Sequence, residues 1–266
     1  MIRLERNLAG LSYRVVYFPT EPEISSLLRE MRLNALVRVR QTRVALDGAP
    51  NLLAHDLFYT VCIDLTASLE DMQAKMHSRG ARYIRSAGKL GERLEIERNS
   101  PRAERDFIDV YNAFAELKKH SGPLSRATID SMRALSDIFV IYCDGRAVAG
   151  HLLMLDSSGK RVRQMFGASI RLEGIERGTF VSSLHRYLNW HEIQVYKSEG
   201  FELFDFGGFQ SPADAEHPLN KFKLSFGAVI VEEHDYVFGR GLGSLAYRLY
   251  RMIPSFGARL RGRLPA

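Results

Sequence analysis

The sequence predicts an α/β protein of the α+β kind, in which a mixed, mostly antiparallel central sheet is flanked by helices. Two observations lead to that prediction. Three short strands joined by tight turns follow one another over residues 138–168, and strands connected in this way pair antiparallel. A long amphipathic helix, a strand, a short helix and a final strand then follow up to residue 232. Such a mixture of strands and helices packs as helices on a sheet.

Turn residues mark the three consecutive strands. Ile138 to Cys143 is apolar and meets the dipeptide Asp144-Gly145, which favours a hairpin turn. The partner strand is Ala147 to Leu155, and Ser157-Ser158-Gly159 turns the chain into a third strand, Val162 to Ala168. We therefore expect three neighbouring antiparallel strands in the centre of the sheet.

Apolar spacing predicts the remaining elements. A stripe of Phe180, Leu184, Leu188 and Val195 indicates a long helix that ends at Gly200. Other helices are expected over residues 23–34, 68–88, 102–120, 125–136 and 219–226, with Thr66 or Ser68 as the cap of the second. Other strands are expected over residues 13–18, 57–65, 94–98, 201–206 and 229–232.

Composition places the chain among globular proteins. Its 266 residues provide ample material for a hydrophobic core, and no apolar run approaches the roughly 18 residues that span a bilayer. The first ten residues lack the apolar segment of a signal peptide. Cys62 and Cys143 lie in apolar strands and are expected to be buried small hydrophobes in a reducing compartment. No His or Cys pair has ligand spacing, so we expect a cytoplasmic protein without a metal.

The formal charge of +6 favours encounters with polyanions. Coenzyme A, nucleotide sugars, tRNA and anionic lipids all satisfy this condition. The charge alone therefore does not choose a ligand.

Two glycine-containing segments are the most informative motifs. Phe204-Asp205-Phe206-Gly207-Gly208 has the pattern of an apolar strand that ends in a carboxylate and two glycines, where the absent Cβ atoms let the backbone approach a ligand. Phe222-Lys223-Leu224-Ser225-Phe226-Gly227 has the pattern of a helix that carries a lysine and ends in glycine. In this order the two segments resemble the FemAB-like branch of the Gcn5-related N-acetyltransferase (GNAT) superfamily, which acts in bacterial cell-envelope pathways.

The resemblance implies a division of the chain and an activity. Residues 92–238 correspond to the GNAT-like core, residues 1–91 to an N-terminal α/β portion that can be a degenerate second half, and residues 239–266 to a basic amphipathic tail. The implied reaction transfers an acyl group from acyl-CoA, most simply acetyl-CoA, to an amine. The implied acceptor is an amino sugar of an envelope polysaccharide or glycolipid.

The resemblance also implies which residues bind the acyl donor. The loop before the long helix occupies the position of the superfamily's pyrophosphate loop, which presents backbone N–H groups at a helix N-terminus. Glu176 departs from the pattern there, since it brings negative charge toward an anion. The backbone of the preceding strand would stabilise the oxyanion. The expected donor-binding residues are Phe166, Gly167, Ala168, Arg171, Gly174, Arg177, Gly178 and Lys223.

Candidate catalytic residues are Asp205 and His151. Asp205 lies at the strand end, where it can orient or deprotonate the amine; its alternative role is to cap the turn or to pair with Lys223. Histidine titrates near neutrality, so His151 is a candidate general base, with a core role as the alternative. Gly207, Gly208 and His217 are expected to contact the acceptor.

Two other interpretations stay open at this point. FemAB proteins proper take amino acids from aminoacyl-tRNA and attach them to peptidoglycan or envelope precursors. The departure at Glu176 favours this donor, as do the basic residues of the 68–88 segment: Lys75, Arg79, Arg82 and Arg85. The other interpretation is a degenerate acyltransferase that serves as a binding module for a partner or a membrane surface.

The C-terminal tail is basic and amphipathic. No acidic residue follows Asp235, whereas arginines recur at 240, 248, 251, 259, 261 and 263. Apolar residues lie at helical spacing from Leu242 to Leu260. This pattern predicts association with an anionic membrane surface at the inner face of the membrane, or a helix packed on its own domain.

Overall fold

The computed structural model divides into two compact units, one formed by Met1–Thr60 and Ile230–Ala266 and the other by Val61–Val229. It describes residues 1–8, 10–46, 48–118, 122–170, 175–209 and 216–252. The boundaries expected from the sequence, at 91/92 and 238/239, stay a prediction. That residues 1–91 are a degenerate acyltransferase half stays a prediction.

Ten strands and eight α-helices occur in the described residues. The strands are β1 (Ile2–Leu8), β2 (Leu11–Tyr17), β3 (Ala35–Thr42), β4 (Leu52–Asp64), β5 (Leu94–Arg98), β6 (Ser136–Cys143), β7 (Arg146–Asp156), β8 (Arg161–Ser169), β9 (Leu203–Phe209) and β10 (Val229–Gly239). The helices are α1 (Glu21–Arg29), α2 (Leu69–Lys75), α3 (Ser78–Gly88), α4 (Pro101–Lys118), α5 (Arg126–Met132), α6 (Ile175–Ser198), α7 (Pro218–Leu224) and α8 (Leu242–Met252).

The first unit is a sheet in the order β1-β2-β3-β10-β4. β1 and β2 pair antiparallel, whereas β2 and β3 pair parallel through the crossover helix α1. Thr20 and Glu23 form a capping box that starts α1. Ile24 of this helix packs in a core with Val37 and Phe238. Neither β1 nor β3 was predicted from the sequence.

The second unit has the expected mostly antiparallel sheet, in the order β4-β9-β8-β7-β6-β5. Residues 61–64 of β4 belong to this unit, and its earlier residues belong to the first. β5 to β8 pair antiparallel, and β8 pairs parallel with β9. Adjacent residues on a strand point to opposite faces. Thus Val140 packs against Phe107 of α4, whereas its neighbour Phe139 contacts Tyr196 of α6. The predicted α/β class, with helices flanking the sheet, is confirmed.

The predicted helix over 68–88 is wrong in one respect, because the structure has two helices there. Met76 and His77 adopt extended backbone between α2 and α3, and His77 Nδ1 accepts the Arg79 N–H. Ser68 is the cap of α2, as expected. Cys62 and Cys143 are buried, as expected, and free; the reducing compartment stays a prediction.

Close backbone packing holds α8 in the first unit. An added Cβ on Gly243 would lie 2.0 Å from the carbonyl oxygen of Ala35 in β3, and backbone cannot move away cheaply. We expect Gly243→Ala to destabilise the protein by about 1–3 kcal/mol through overpacking. Urea unfolding followed by circular dichroism measures the change. Gly88→Ala is the matched control, since its Cβ would make an ordinary 3.4 Å contact with Tyr187. Equal midpoints for both variants would contradict the packing argument.

Candidate active site

The ladder between β8 and β9 ends in the middle of both strands. The last of their three paired positions is Arg163 opposite Asp205. Nevertheless, β8 continues to Ser169 and β9 to Phe209. Beyond the last pair, the β8 edge presents backbone N–H and C=O groups outside this ladder, and buried backbone groups need partners. The parting of the two strands is therefore a place where a ligand can lie along β8.

A β-bulge lies on β8 at this parting. Toward β7 the register changes between Leu152 opposite Phe166 and Leu153 opposite Gln164, so that Met165 has no counterpart. Bulges re-aim the backbone and are frequent beside active sites. The bulge thus marks the part of β8 whose backbone was expected to hold the acyl donor.

The three residues expected there face different ways. Phe166 and Ala168 pack with the core under α4, and Phe166 meets the Tyr111 ring edge-on at 5.4 Å. Gly167 faces the other side, where an added Cβ would lie 3.1 Å from Cδ2 of His151. The side chains therefore serve packing, and a role for this segment in donor binding belongs to its backbone. That role stays a prediction.

Asp205 is fully buried and engaged by two arginines of β8. Its Oδ2 lies 2.5 Å from Nη2 of Arg161 and 3.6 Å from Nη1 of Arg163. Its Oδ1 accepts the Gly207 N–H at 2.7 Å, which stabilises the turn at a residue with φ of +76°. The carboxylate therefore links the two strands where their ladder ends, and its catalytic role stays a prediction.

Lys223 reaches the same turn from α7. Its buried Nζ donates to the carbonyl oxygens of Gly207 at 3.1 Å and Gly208 at 2.6 Å. Burial lowers the pKa of Lys223 to about 8, although the negative charge of Asp205 acts in the opposite direction. Since the fold lowers this pKa, the ammonium loses its proton as the pH rises through about 8. Two of its three N–H groups hold the glycine turn.

Three ionisable side chains form a chain of hydrogen bonds between β7 and α6. His151 Nδ1 lies 2.7 Å from Oε1 of Glu192, and His151 Nε2 lies 2.6 Å from Nε2 of His185. His151 and Glu192 are fully buried, whereas His185 is half-buried. The His185 ring stacks on Phe222 of α7 with a centroid distance of 5.1 Å. His151, predicted as a catalytic residue, is therefore the middle member of a longer system.

Burial controls the protonation of this chain. It lowers the pKa of His151 to about 3 and the pKa of His185 well below its usual range. It also raises the pKa of Glu192 well above that of an exposed glutamate. The positive charge of Arg186 and the neighbouring His151 lower the pKa of His185 further. The low-dielectric surroundings therefore favour neutral forms of all three groups.

The other residues predicted from the sequence lie apart from this cluster or outside the residues that the structure describes. His217 is exposed, and its Nδ1 accepts the Leu219 N–H as the N-cap of α7. α6 begins at Ile175, inside the 171–178 segment that was expected to be the phosphate loop, so Gly178 lies in the first turn of this helix. Arg171 and Gly174 lie outside the described residues, as does the side chain of Arg177. Their predicted roles stay predictions.

A groove of about 740 Å³ opens between α3, α6 and α7. Arg79 at the start of α3 and Arg186 of α6 line it, together with Lys221 of α7, which pairs with Glu216. Arg186 lies over the Phe222 ring, 4.3 Å from its centroid, and donates to Ser225 Oγ at 2.6 Å. The same Phe222 ring contacts the His185 ring. An anionic ligand in the groove would therefore lie close to the histidine chain.

Sequence reasoning missed four of the residues that build this site. Arg161 and Arg163 alternate with apolar residues along β8, and a positive charge on a buried strand face is a signal for a buried partner. His185 and Glu192 are seven residues apart, hence on one face of α6. The apolar residues of this helix served to predict the helix itself, and the two polar residues among them were not recognised as a signal.

Comparison with known proteins gives structural neighbours alone. No family model matches the sequence, and no curated protein does. The FemX crystal structure has a TM-score of 0.62 at 12% identity, with 94% of this chain and 86% of that chain covered. The C-terminal domain of a putative lysylphosphatidylglycerol synthetase from Agrobacterium fabrum has a TM-score of 0.61 at 14% identity, with 92% and 83% covered. L-PGS from Bacillus licheniformis has a TM-score of 0.56 at 13% identity, with 98% and 85% covered. These likenesses confirm the predicted fold, which the chain shares with FemX and with the two synthetase structures.

The buried ion pair at Asp205 makes a stability prediction. Asp205→Asn removes the negative charge and leaves Arg161 and Arg163 buried beside a neutral amide. We expect a loss of about 3–5 kcal/mol in the free energy of unfolding, the usual cost of an uncompensated buried charge. Glu202→Gln, which removes the partner of Lys160 in an exposed pair just before it, should change stability little. Denaturant unfolding measures the stability of both variants. Similar losses of stability in the two would show that Asp205 does not anchor β9 to β8.

Proposed function

We propose that this chain is an N-acyltransferase that transfers an acyl group, most simply acetyl, from a CoA thioester to an amine. The observation that supports it best is the parting of β8 and β9 beside the bulge at Met165. This parting leaves backbone of β8 for the donor to lie along, and the fold is that of the FemAB-like branch. The proposed acceptor is an amino sugar of a bacterial envelope polysaccharide or glycolipid.

The residues at the parting fit the needs of amide formation. The amine nitrogen attacks the thioester carbonyl, the C–N bond forms, the C–S bond breaks and the sulfur leaves as thiolate. A positioned backbone N–H of the β8 segment stabilises the developing oxyanion, and such groups are already oriented before the reaction. Asp205 and Lys223 keep the Gly207–Gly208 turn in place, so that the opposite wall of the cleft is fixed. Positioning then supplies much of the rate.

Lys223 gives the acyl-CoA proposal a measurable pH dependence. If its ammonium attracts the donor's phosphates, affinity for acetyl-CoA should fall as the pH rises from 7 to 9, because the Lys223 pKa is about 8. Calorimetry with acetyl-CoA and longer acyl-CoAs measures this. We expect Lys223→Ala to bind more weakly at pH 7, and Lys223→Arg to bind without the pH dependence, since arginine stays charged.

Lys160→Ala is the control for that titration, since Lys160 is exposed and paired with Glu202 at the opposite end of β8. Circular dichroism shows whether each variant is folded. No binding of any acyl-CoA by the wild-type protein would overturn the CoA-dependent function. Equal pH dependence in all the variants would remove Lys223 from donor binding.

The cationic groove favours a second candidate donor, aminoacyl-tRNA. Arg79 and Arg186 would meet nucleic-acid phosphates, with Lys221 beside them in its ion pair with Glu216, and the groove is adjacent to His185 through Phe222. Affinity for a polyanion that contacts several arginines falls steeply with salt. Strong, salt-sensitive binding of charged tRNA, together with no binding of acyl-CoA, would select this donor on the same fold.

We also propose that α8 holds the enzyme at an anionic membrane surface, next to a lipid-linked acceptor. Leu242, Leu245 and Leu249 are half exposed (52%, 53% and 51%) and lie three or four residues apart, so they form one stripe. Gly243 turns the opposite side of α8 toward β3. Arg248 and Arg251 are exposed beside the stripe. No helix among the described residues combines the length and apolarity needed to cross a bilayer.

This leucine stripe, defined by Leu242, Leu245 and Leu249, complements anionic lipid in two ways. Its leucines can enter the acyl-chain boundary while the arginines stay with the headgroups. We expect the protein to sediment with vesicles that contain phosphatidylglycerol and not with pure phosphatidylcholine. The double variant Leu245→Glu/Leu249→Glu should stay in the supernatant.

Leu117→Glu is the matched control, because Leu117 on α4 is 51% exposed and lies outside the stripe. This variant should sediment as the wild-type protein does. If the double variant also sediments, or if the wild-type protein ignores anionic vesicles, α8 is not a membrane contact. Acyl-CoA binding would be unaffected by that outcome.

A further inference from the structure

The chain of Glu192, His151 and His185 is more than a core hydrogen bond. Its two links, 2.7 Å and 2.6 Å long, join a carboxyl group to two imidazole rings without a gap. The outer ring contacts Phe222, which immediately precedes Lys223, and the inner ring lies beside Gly167 of β8. The chain thus runs from the buried middle of α6 to the elements on both sides of the β8–β9 parting.

We propose that these three residues form a proton relay that deprotonates the attacking amine, with His185 as the residue that contacts the acceptor. The proposal rests on the acyl-transfer function proposed above. His151 and Glu192 are positioning residues in this scheme, since they act through His185.

The hydrogen bonds fix how the proton moves. In the reactive form, which is reached when Glu192 loses its proton, His151 donates Nδ1–H to the Glu192 carboxylate, His185 donates Nε2–H to Nε2 of His151, and Nδ1 of His185 keeps its lone pair. The amine gives its proton to that nitrogen as the C–N bond forms. Each ring then passes on the proton of its other nitrogen, so that His151 Nε2–H donates to His185 and Glu192 becomes a carboxylic acid. The proton later returns to the thiolate that left.

The surroundings suit this exchange. Taking up the proton neutralises Glu192, and neutral forms are the ones that burial favours. Arg186 on α6 disfavours an imidazolium at His185, so the charge does not stop there. Tyr196, also on α6, interacts electrostatically with Glu192 and donates to Asp137. Lys223 on α7 donates to the Gly207 and Gly208 carbonyls, apart from the relay.

A purely structural role is a poor explanation for the chain. A buried polar group costs stability even when satisfied, and replacing buried ion pairs by apolar residues is often neutral or stabilising. His191, on the same helix, is an example of a histidine with a structural contact. Its ring packs edge-on against the Phe139 ring, with a centroid distance of 6.2 Å. Burial lowers its pKa as well, so it is a matched histidine outside the relay.

The decisive variant is Glu192→Gln. Glutamine keeps the shape and donates an N–H to His151 Nδ1, so it locks the relay in its proton-loaded form. We expect it to fold normally, to bind acetyl-CoA as the wild-type protein does, and to lose turnover about a hundredfold or more, the usual contribution of a general base. Thiol release from acetyl-CoA with glucosamine as the acceptor measures turnover. Glu192→Asp should restore part of it, and His191→Asn should leave it unchanged.

The pH profile and the histidine resonances separate a relay from a structural contact. The wild-type rate should rise with pH as Glu192 loses its proton, and this rise should vanish in Glu192→Gln. In ¹⁵N spectra of histidine-labelled protein, Glu192→Gln should fix His151 and His185 as single tautomers with Nε2–H on His151 and Nδ1–H on His185. His191→Asn should leave both rings as they are.

The outcomes distinguish the two proposals. If acetyl-CoA binds but Glu192→Gln keeps full turnover, or its ¹⁵N signals for the two rings match the wild type, the relay is overturned and the function stands. If the wild-type protein binds no acetyl-CoA, the proposed function fails, and the relay is then judged by the histidine resonances alone: independent rings overturn it.

Discussion

The buried charge of Asp205 is the constraint on which the site depends. Its carboxylate is held by Arg161 and Arg163 of β8 and by the Gly207 N–H of β9. A buried charge requires compensation, so the two strands must stay together up to this point. Beyond it the β8–β9 ladder does not continue, although Gly207 still lies close to the carbonyl oxygen of Gln164. The carboxylate therefore anchors the last paired position of the two strands.

Two buried ionisable groups of residues lie near the point where the β8–β9 ladder ends, and they have different roles. Lys223 holds the carbonyls of Gly207 and Gly208, and its lowered pKa follows from burial. The Glu192–His151–His185 chain lies between β7 and α6 and ends at Phe222, next to Lys223 in sequence. One system fixes a wall of the cleft, and the other can accept a proton there. The fold can thus separate positioning from proton transfer.

The sequence predicted the sheet well where strands are joined by tight turns and are strongly apolar. The Asp144-Gly145 turn, β5 and the long helix α6 all lie where the patterns place them. β3 was missed although its apolar residues alternate with arginines, which is the period-2 pattern of a half-buried strand, and its alternating burial shows that one face is core. The break at Met76 and His77 was missed because both residues are compatible with a helix, and tertiary packing decides their conformation.

The site was harder to predict than the fold, because its contacts join residues far apart in sequence. Asp205 and Lys223 were found from local motifs, but the arginines that neutralise Asp205 stand more than 40 positions earlier. His151 was named without its partners, since nothing in a single sequence indicates which helix face covers a strand. The segment around Arg171 and Gly174 lies outside the described residues, so its predicted contact with phosphates rests on the sequence alone.

Hydrogen exchange of backbone amides with and without acetyl-CoA tests whether the acyl donor lies along β8 where it leaves β9. We expect added protection in the Gln164 to Ser169 segment and at Gly207 and Gly208, while β5 and β6 exchange as before. Protection confined to other elements, with β8 unchanged at saturating acetyl-CoA, would contradict this position of the donor.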